Sequence, residues 1–113
     1  MRKITFKSSN CAGDGLGVLL GDPAVWRRGV IVLHEWWGLT RQIEEEAQLI
    51  ASQGQMTALV VDVYRGRVAK DREQAGHFME DLDWDGAVKD ISGAAKYLLD
   101  AGCRKVLSVL SFS

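Results

Sequence analysis

Apolar residues along this chain fall into short β-branched runs separated by longer stretches in which they recur every three or four positions. The strongest run is Val30-Ile31-Val32-Leu33. Four consecutive apolar residues, three of them β-branched, predict a strand buried on both faces of a parallel sheet. Thr57–Val63 predicts a second such strand and Lys105–Leu110 a third. Helical periods lie between them. Thr40 stands where an N-cap belongs, ahead of a helix expected from Arg41 to Gln53. Its Ile43, Ala47, Ile50 and Ala51 share one face, with Glu44, Glu45 and Glu46 opposite. Gly54 is expected to end it. A shorter helix is expected from Asp71 to Leu82, with Ala75, Phe78, Met79 and Leu82 inward. Asp83 is placed to cap the clearest helix, Trp84 to Ala101, and Gly102 stands at its C-terminal left-handed position. There Trp84, Ala87, Val88, Ile91, Ala94, Ala95 and Leu98 form the predicted buried stripe.

Ahead of this alternation, Ile4–Lys7 and Gly17–Gly21 read as two strands around a turn rich in Ser, Asn, Asp and Gly, which predicts an antiparallel hairpin. Strand–helix–strand–helix–strand spacing after the hairpin argues for right-handed crossovers. The expected fold is a three-layer α/β/α arrangement, a mostly parallel sheet with an N-terminal antiparallel hairpin, in a single domain over residues 1–113.

Composition narrows the function. A net charge of −1, with basic residues scattered among acids, argues against a nucleic-acid partner. No apolar stretch approaches the roughly 20 residues of a membrane helix, and the basic N-terminus has no apolar signal core behind it. Cys11 and Cys103 are too few and too far apart for a metal cluster or a redox pair. Both read as reduced thiols of a cytoplasmic protein, and neither a metal nor a cofactor is expected.

Candidate chemistry gathers at the strand ends. His34, Glu35 and Trp36 follow the first parallel strand; Asp62, Val63 and Tyr64 close or follow the second; Ser111, Phe112 and Ser113 close or follow the third. In an open α/β sheet that edge is where ligands bind. A sharp strand-to-helix turn there presents a nucleophile, and the N–H that follows forms part of an oxyanion hole. Ser113 sits at the nucleophile's place in such a turn. Plainer readings stand beside these: Glu35 as an exposed strand-end carboxylate, Arg72 as a solvated helix residue, Trp84 as helix core and Asp62 as a turn residue. A receiver-like acidic pocket is disfavoured, since no aspartates cluster after the first strand.

Four segments carry a resemblance. Val30–Leu39 (Val-Ile-Val-Leu-His-Glu-Trp-Trp-Gly-Leu), Val61–Tyr64 (Val-Asp-Val-Tyr), Arg72–Ala75 (Arg-Glu-Gln-Ala) and Lys105–Ser113 (Lys-Val-Leu-Ser-Val-Leu-Ser-Phe-Ser) resemble the dienelactone hydrolases in order and spacing. These are α/β-hydrolases, the carboxymethylenebutenolidases, that open a lactone ring through a nucleophile-His-Asp triad. The resemblance implies that Glu35 helps ionise the nucleophile, that the Trp36 N–H donates to the oxyanion, and that Arg72 holds a substrate carboxylate. Trp36, Trp37 and Tyr64 would line the site of a small ester or lactone, an anionic one if Arg72 plays that part.

Three departures qualify it. Ser111 replaces the first glycine of the family's Gly-x-Cys-x-Gly elbow, where a β-carbon crowds the turn. Ser113 replaces the cysteine, and a hydroxyl depends more on a base. The following N–H, the crossover helix and the triad's Asp and His lie beyond residue 113 in the family. His34 and His77 are the chain's two histidines; His34 is expected to face away from Glu35, and neither is well placed as a replacement base. Two readings follow: the front half of an ester or lactone hydrolase, inactive alone, or a shortened homologue serving as a binding module or surviving as a remnant. The 113-residue chain alone is expected to self-associate through an exposed sheet edge or to be poorly stable. Size-exclusion with light scattering checks this, and a sharp monomer with a cooperative melt would overturn it.

Overall fold

The computed structural model describes residues 1–111. Phe112 and Ser113, on which the nucleophile assignment falls, lie outside the described residues. The order of elements is β1 (Arg2–Phe6), β2 (Gly15–Leu20), β3 (Arg28–Leu33), α1 (Arg41–Gly54), β4 (Thr57–Val61), α2 (Arg72–Glu80), α3 (Trp84–Ala101) and β5 (Lys105–Ser111). The strands form one sheet in the order β1-β2-β4-β3-β5. β4, β3 and β5 are parallel, and β1 and β2 form the antiparallel hairpin, with β2 antiparallel to β4.

Alternation along the strands divides the core into two layers, because successive side chains leave opposite faces of a sheet. Val18, Leu20, Val30, Val32, Ala58 and Val60 pack against Ile43, Ala47 and Ala51 of α1. Leu19, Ile31, Leu59 and Val61 turn the other way, onto Ala94 and Leu98 of α3. Removing one such Val, Leu or Ile side chain from water is worth about 1.5–3 kcal/mol. Both faces are therefore covered where β3 and β4 run side by side, which is why those strands read as unbroken apolar runs. No helix among the described residues is long and apolar enough to cross a membrane.

Several element boundaries move, each for a local reason. β4 ends at Val61 rather than Val63: the Asp62 N–H bonds the Leu16 carbonyl at 2.8 Å, and its carboxylate turns to accept from the N–H groups of Tyr64 and Gly66. Gly54 is still helical, and the left-handed residue that ends α1 is Gln55, at φ 51°. α2 stops at Glu80, short of Leu82. Asp71 caps α2 by accepting from the Gln74 N–H at 2.8 Å. Thr40 and Asp83 occupy their N-cap positions without a side-chain cap hydrogen bond.

The stripe expected to be buried on α3 is corrected. Trp84 and Val88 are 61% and 59% exposed. Ala87, Ala94 and Leu98 of that stripe are buried as expected, joined by Gly86 and Asp90. Small residues decide the rotation of this helix, since its backbone approaches the hairpin too closely for larger ones. A β-carbon on Gly93 would collide with the Lys7 carbonyl, and one on Gly86 would come within 2.7 Å of the Asn10 side chain.

Candidate functional site

Residues that close β3 and β4 meet at the carboxyl edge of the sheet. β3 pairs with β5 so that Leu33 lies beside Ser111. Between Val30 and Val32 the register shifts, with Leu107 and Leu110 as their partners. β5 thus advances three residues while β3 advances two, the signature of a bulge. Glu35 to Gly38 form a turn closed by the Gly38 N–H on the Glu35 carbonyl at 3.1 Å. Gly38, at φ 106°, is required there, because a β-carbon would sit 2.6 Å from the Arg67 carbonyl. The turn is tied to the loop ahead of α2 by the Ala69 N–H on the Trp37 carbonyl, 2.9 Å.

β3 ends at Leu33, so strand alternation no longer governs His34. Its side chain is 1% exposed. The Val63 N–H donates to Nε2 at 3.2 Å, and Nδ1 lies 2.7 Å from the Glu35 carbonyl. A backbone N–H can only donate, so Nε2 is the bare nitrogen and Nδ1 carries the proton. Both ring nitrogens are committed to the backbone, which leaves none to act as a base. Burial lowers the pKa of His34 from its ordinary 6.5, against smaller opposing effects of the Glu35 carbonyl and the Asp62 carboxylate. Its stabilising role is fully present above the unfolded value and is lost as pH falls through about 6.5 toward the lower folded value, at no more than about 1.4 kcal/mol per pH unit for one proton. Thermal melts between pH 7.5 and pH 5 should show this fall, and His34→Gln should flatten it. An unchanged profile in the variant would rule His34 out as the source. His77 is exposed on α2, 3.8 Å from Glu73.

A cavity of about 170 Å³ opens at this edge. Leu33, Val63, Met79, Leu82, Ala87 and Ile91 supply its apolar wall, with His34, Glu35, Tyr64 and Trp84 completing it. Tyr64 is 2% exposed, packed edge-on against His34 (ring centroids 4.7 Å apart) and Phe78 (5.6 Å). Its buried hydroxyl has no hydrogen-bond partner among the described residues. Burial raises the phenol pKa above 10, with Arg67 opposing, so Tyr64 remains a donor at neutral pH. Arg67 itself lies over the Phe78 ring, 4.5 Å from its centroid.

The predicted site residues thus divide. Glu35 and Tyr64 share this cavity. Trp36 and Trp37, half-buried and edge-on to each other at 5.6 Å, are not among its walls. Nor is Arg72, exposed at the first position of α2. A larger groove, about 560 Å³, runs past Lys3, Gly17, Leu39, Glu44 and Asp62 and holds none of the predicted site residues.

Sequence reasoning missed one buried charged cluster. Asp90 is 1% exposed on α3 and meets Arg65 Nη2 at 2.7 Å and the Ser8 hydroxyl at 2.6 Å. Arg65, at φ 53°, also donates to the Gly13 and Asp14 carbonyls of the hairpin turn. The cluster clamps the hairpin turn, the loop after β4 and α3 together. Its available signal was the line of small residues around Asp90.

Comparison with known proteins agrees with this fold. The model of the dienelactone hydrolase family matches residues 16–109, most of the chain. The chain belongs to the dienelactone hydrolase family. A 57-residue stretch is 40% identical to Protein usf of Aquifex pyrophilus, spanning 48% of this chain and 24% of that protein. The solved structure m3DLH matches at 27% identity with a TM-score of 0.67, over 98% of this chain and 48% of its own. A dienelactone hydrolase-like promiscuous phosphotriesterase from metagenomic libraries shares the fold, with a TM-score of 0.75 at 20% identity, over 98% and 48% of the two chains. This dienelactone hydrolase relative therefore spans about half the length of the solved structures and a quarter of the curated protein it matches.

Proposed function

We propose that this chain supplies the strand-end half of a hydrolase that cleaves carboxylic esters or lactones through an acyl-enzyme. The observation that carries the reading is the cavity at the carboxyl ends of β3 and β4, where Glu35 and Tyr64 meet in a chain of the dienelactone hydrolase family. Ser113 would attack the carbonyl carbon, with the Trp36 N–H as one donor to the oxyanion. The alcohol would leave with the serine's proton, and water would then release the acid. His34 has no free nitrogen for that proton and His77 is exposed away from the cavity walls; by the family resemblance the base and its orienting carboxylate would come from sequence after Ser113 or from another chain. Arg72 would meet a substrate carboxylate outside the cavity. Two unpaired thiols, Cys11 exposed and Cys103 buried, suit a reducing cytoplasm.

Turnover of 4-nitrophenyl acetate tests the reading. The protein carrying the residues that follow Ser113 should hydrolyse it, and the 113-residue chain alone should stay at background. No turnover in either would favour the second reading, a non-catalytic binding module, for which Ser111 at the elbow's glycine position is the specific observation.

A further inference from the structure

The larger groove, on the other side of the sheet, carries a charge pattern that the strand-end chemistry does not use. It measures about 560 Å³, within the roughly 300–1,000 Å³ range of small-molecule sites. Lys3 pairs with Val18 and Thr5 with Leu16, so these four side chains share one face of the sheet. Val18 belongs to the α1 layer, whereas the Glu35 cavity takes its wall from α3, so the two openings lie on opposite faces. Leu16, Val18, Leu39 and Val68 give the groove its apolar lining.

The charged residues along it are Lys3, Glu44 and Asp62. Asp62 follows β4 level with Leu16, and Lys3 lies level with Val18 on the outermost strand. Two residues along the strands and two strands across put their backbones about 12 Å apart. That exceeds the screening length of about 8 Å at physiological ionic strength, so Lys3 does not neutralise Asp62. The Asp62 carboxylate accepts from two neutral donors, the Tyr64 and Gly66 N–H groups. His34 Nε2, 3.8 Å away, is the bare ring nitrogen and brings neither proton nor charge. A carboxylate has about four acceptor positions, and the Asp62 side chain keeps 12% exposure. Asp62 lines this groove and not the Glu35 cavity. Glu44, in the first turn of α1, forms no ion pair among the described residues. Two carboxylates without a cation thus stand beside an apolar lining, and that combination selects a positive charge on an apolar body.

We propose that this groove binds a small organic ammonium ion, with its charged nitrogen at Asp62 and Glu44 and its apolar body along Leu16, Val18, Leu39 and Val68. It is a second ligand site, independent of the strand-end chemistry. Charge-assisted hydrogen bonds to the carboxylates give it specificity, and an anionic molecule is repelled from the same end.

Calorimetric titration with 4-phenylbutylamine, 4-phenylbutyrate and 4-phenylbutanol, one body in three charge states, tests this at pH 7.5. The amine should bind saturably, at least about tenfold more tightly than the carboxylate, with the alcohol between them. Asp62→Asn keeps an acceptor for the turn and removes the charge. It should weaken the amine about five- to tenfold and the alcohol less than twofold. Val68 is 49% exposed, so Val68→Lys brings a like charge to the rim without disturbing the turn, and should weaken the amine at least about threefold. Glu35→Gln, on the opposite face, should leave amine binding unchanged. A loss there as large as in Asp62→Asn would put the ammonium in the strand-end cavity and overturn the proposal. So would carboxylate binding as tight as the amine's, or no saturable binding of the amine. An amine affinity that survives Asp62→Asn would do the same, or one that survives Val68→Lys where the melt shows Asp62→Asn to be unfolded.

Discussion

Ser113→Ala, made in the protein that carries the residues following it, is expected to take ester turnover to background, a fall of about 10⁴- to 10⁶-fold. A serine hydroxyl is scarcely ionised near neutral pH, so it attacks a carbonyl only while a base removes its proton. Deleting it removes the covalent route, not one contact among several. Ser113→Cys sharpens the test. A thiol with a pKa near 8.5 is partly ionised at neutral pH, and the family usually places cysteine there. The cysteine variant should retain turnover and become sensitive to iodoacetamide, while the parent resists it. Glu35 lies in the turn directly after β3, and β3 is paired with β5 up to Ser111. That adjacency puts Glu35 and the described end of β5 on one edge of the sheet. Turnover that survives Ser113→Ala would mean that the strand-end reading names the wrong nucleophile.

Much of the sheet was legible in the chain because burial on both faces leaves a strong mark. Val30–Leu33 and Thr57–Val63 read as apolar runs and became adjacent parallel strands, the second ending at Val61. The hairpin was visible from its turn chemistry, and Asp62 was rightly read as a turn residue. Strand order was not foreseen, since nothing local in β2 states that it will pair with β4. The rotation of α3 was misjudged for a physical reason. Periodicity marks where large apolar residues fall, whereas the contact here is set by how closely two backbones approach. Gly86, Ala87, Gly93 and Ala94 permit that approach, and Trp84 and Val88 are turned outward in consequence.

The candidate site was legible in part. Glu35 and Tyr64 were named from strand ends and do share a cavity. The walls from α2 and α3, Met79, Leu82, Ala87 and Ile91, were assigned only to the core. A cavity wall and a core contact look alike in a sequence, because both demand apolar side chains. His34 was expected to follow strand alternation. The strand stopped one residue earlier, and the backbone of Glu35 and Val63 claimed both its nitrogens. Charge pairing across 25 residues, as between Arg65 and Asp90, leaves no local pattern to read.

That pairing carries the largest expected effect on stability. Asp90→Ala should destabilise the fold by about 3 kcal/mol, at the lower end of the 3–5 kcal/mol typical for removing one partner of a buried ion pair. The lower end applies because the Arg65 side chain keeps 23% exposure and retains its bonds to the Gly13 and Asp14 carbonyls. At about 4 °C or more per kcal/mol for a domain of this size, the melting temperature should fall by more than about 10 °C. Asp90→Asn retains acceptors for Ser8 and Arg65 and should cost less, about 1–2 kcal/mol. Arg65→Gly separates two opposing effects. It relieves the left-handed backbone of Arg65, worth about 1–2 kcal/mol, and removes the guanidinium. A net loss of stability would show that the clamp outweighs the strain. The double variant Asp90→Ala/Arg65→Gly should melt higher than the two losses added together, since the carboxylate and guanidinium no longer wait on each other. A variant that melts within about 3 °C of the parent, less than 1 kcal/mol on the same scale, would show that the cluster is incidental to the fold.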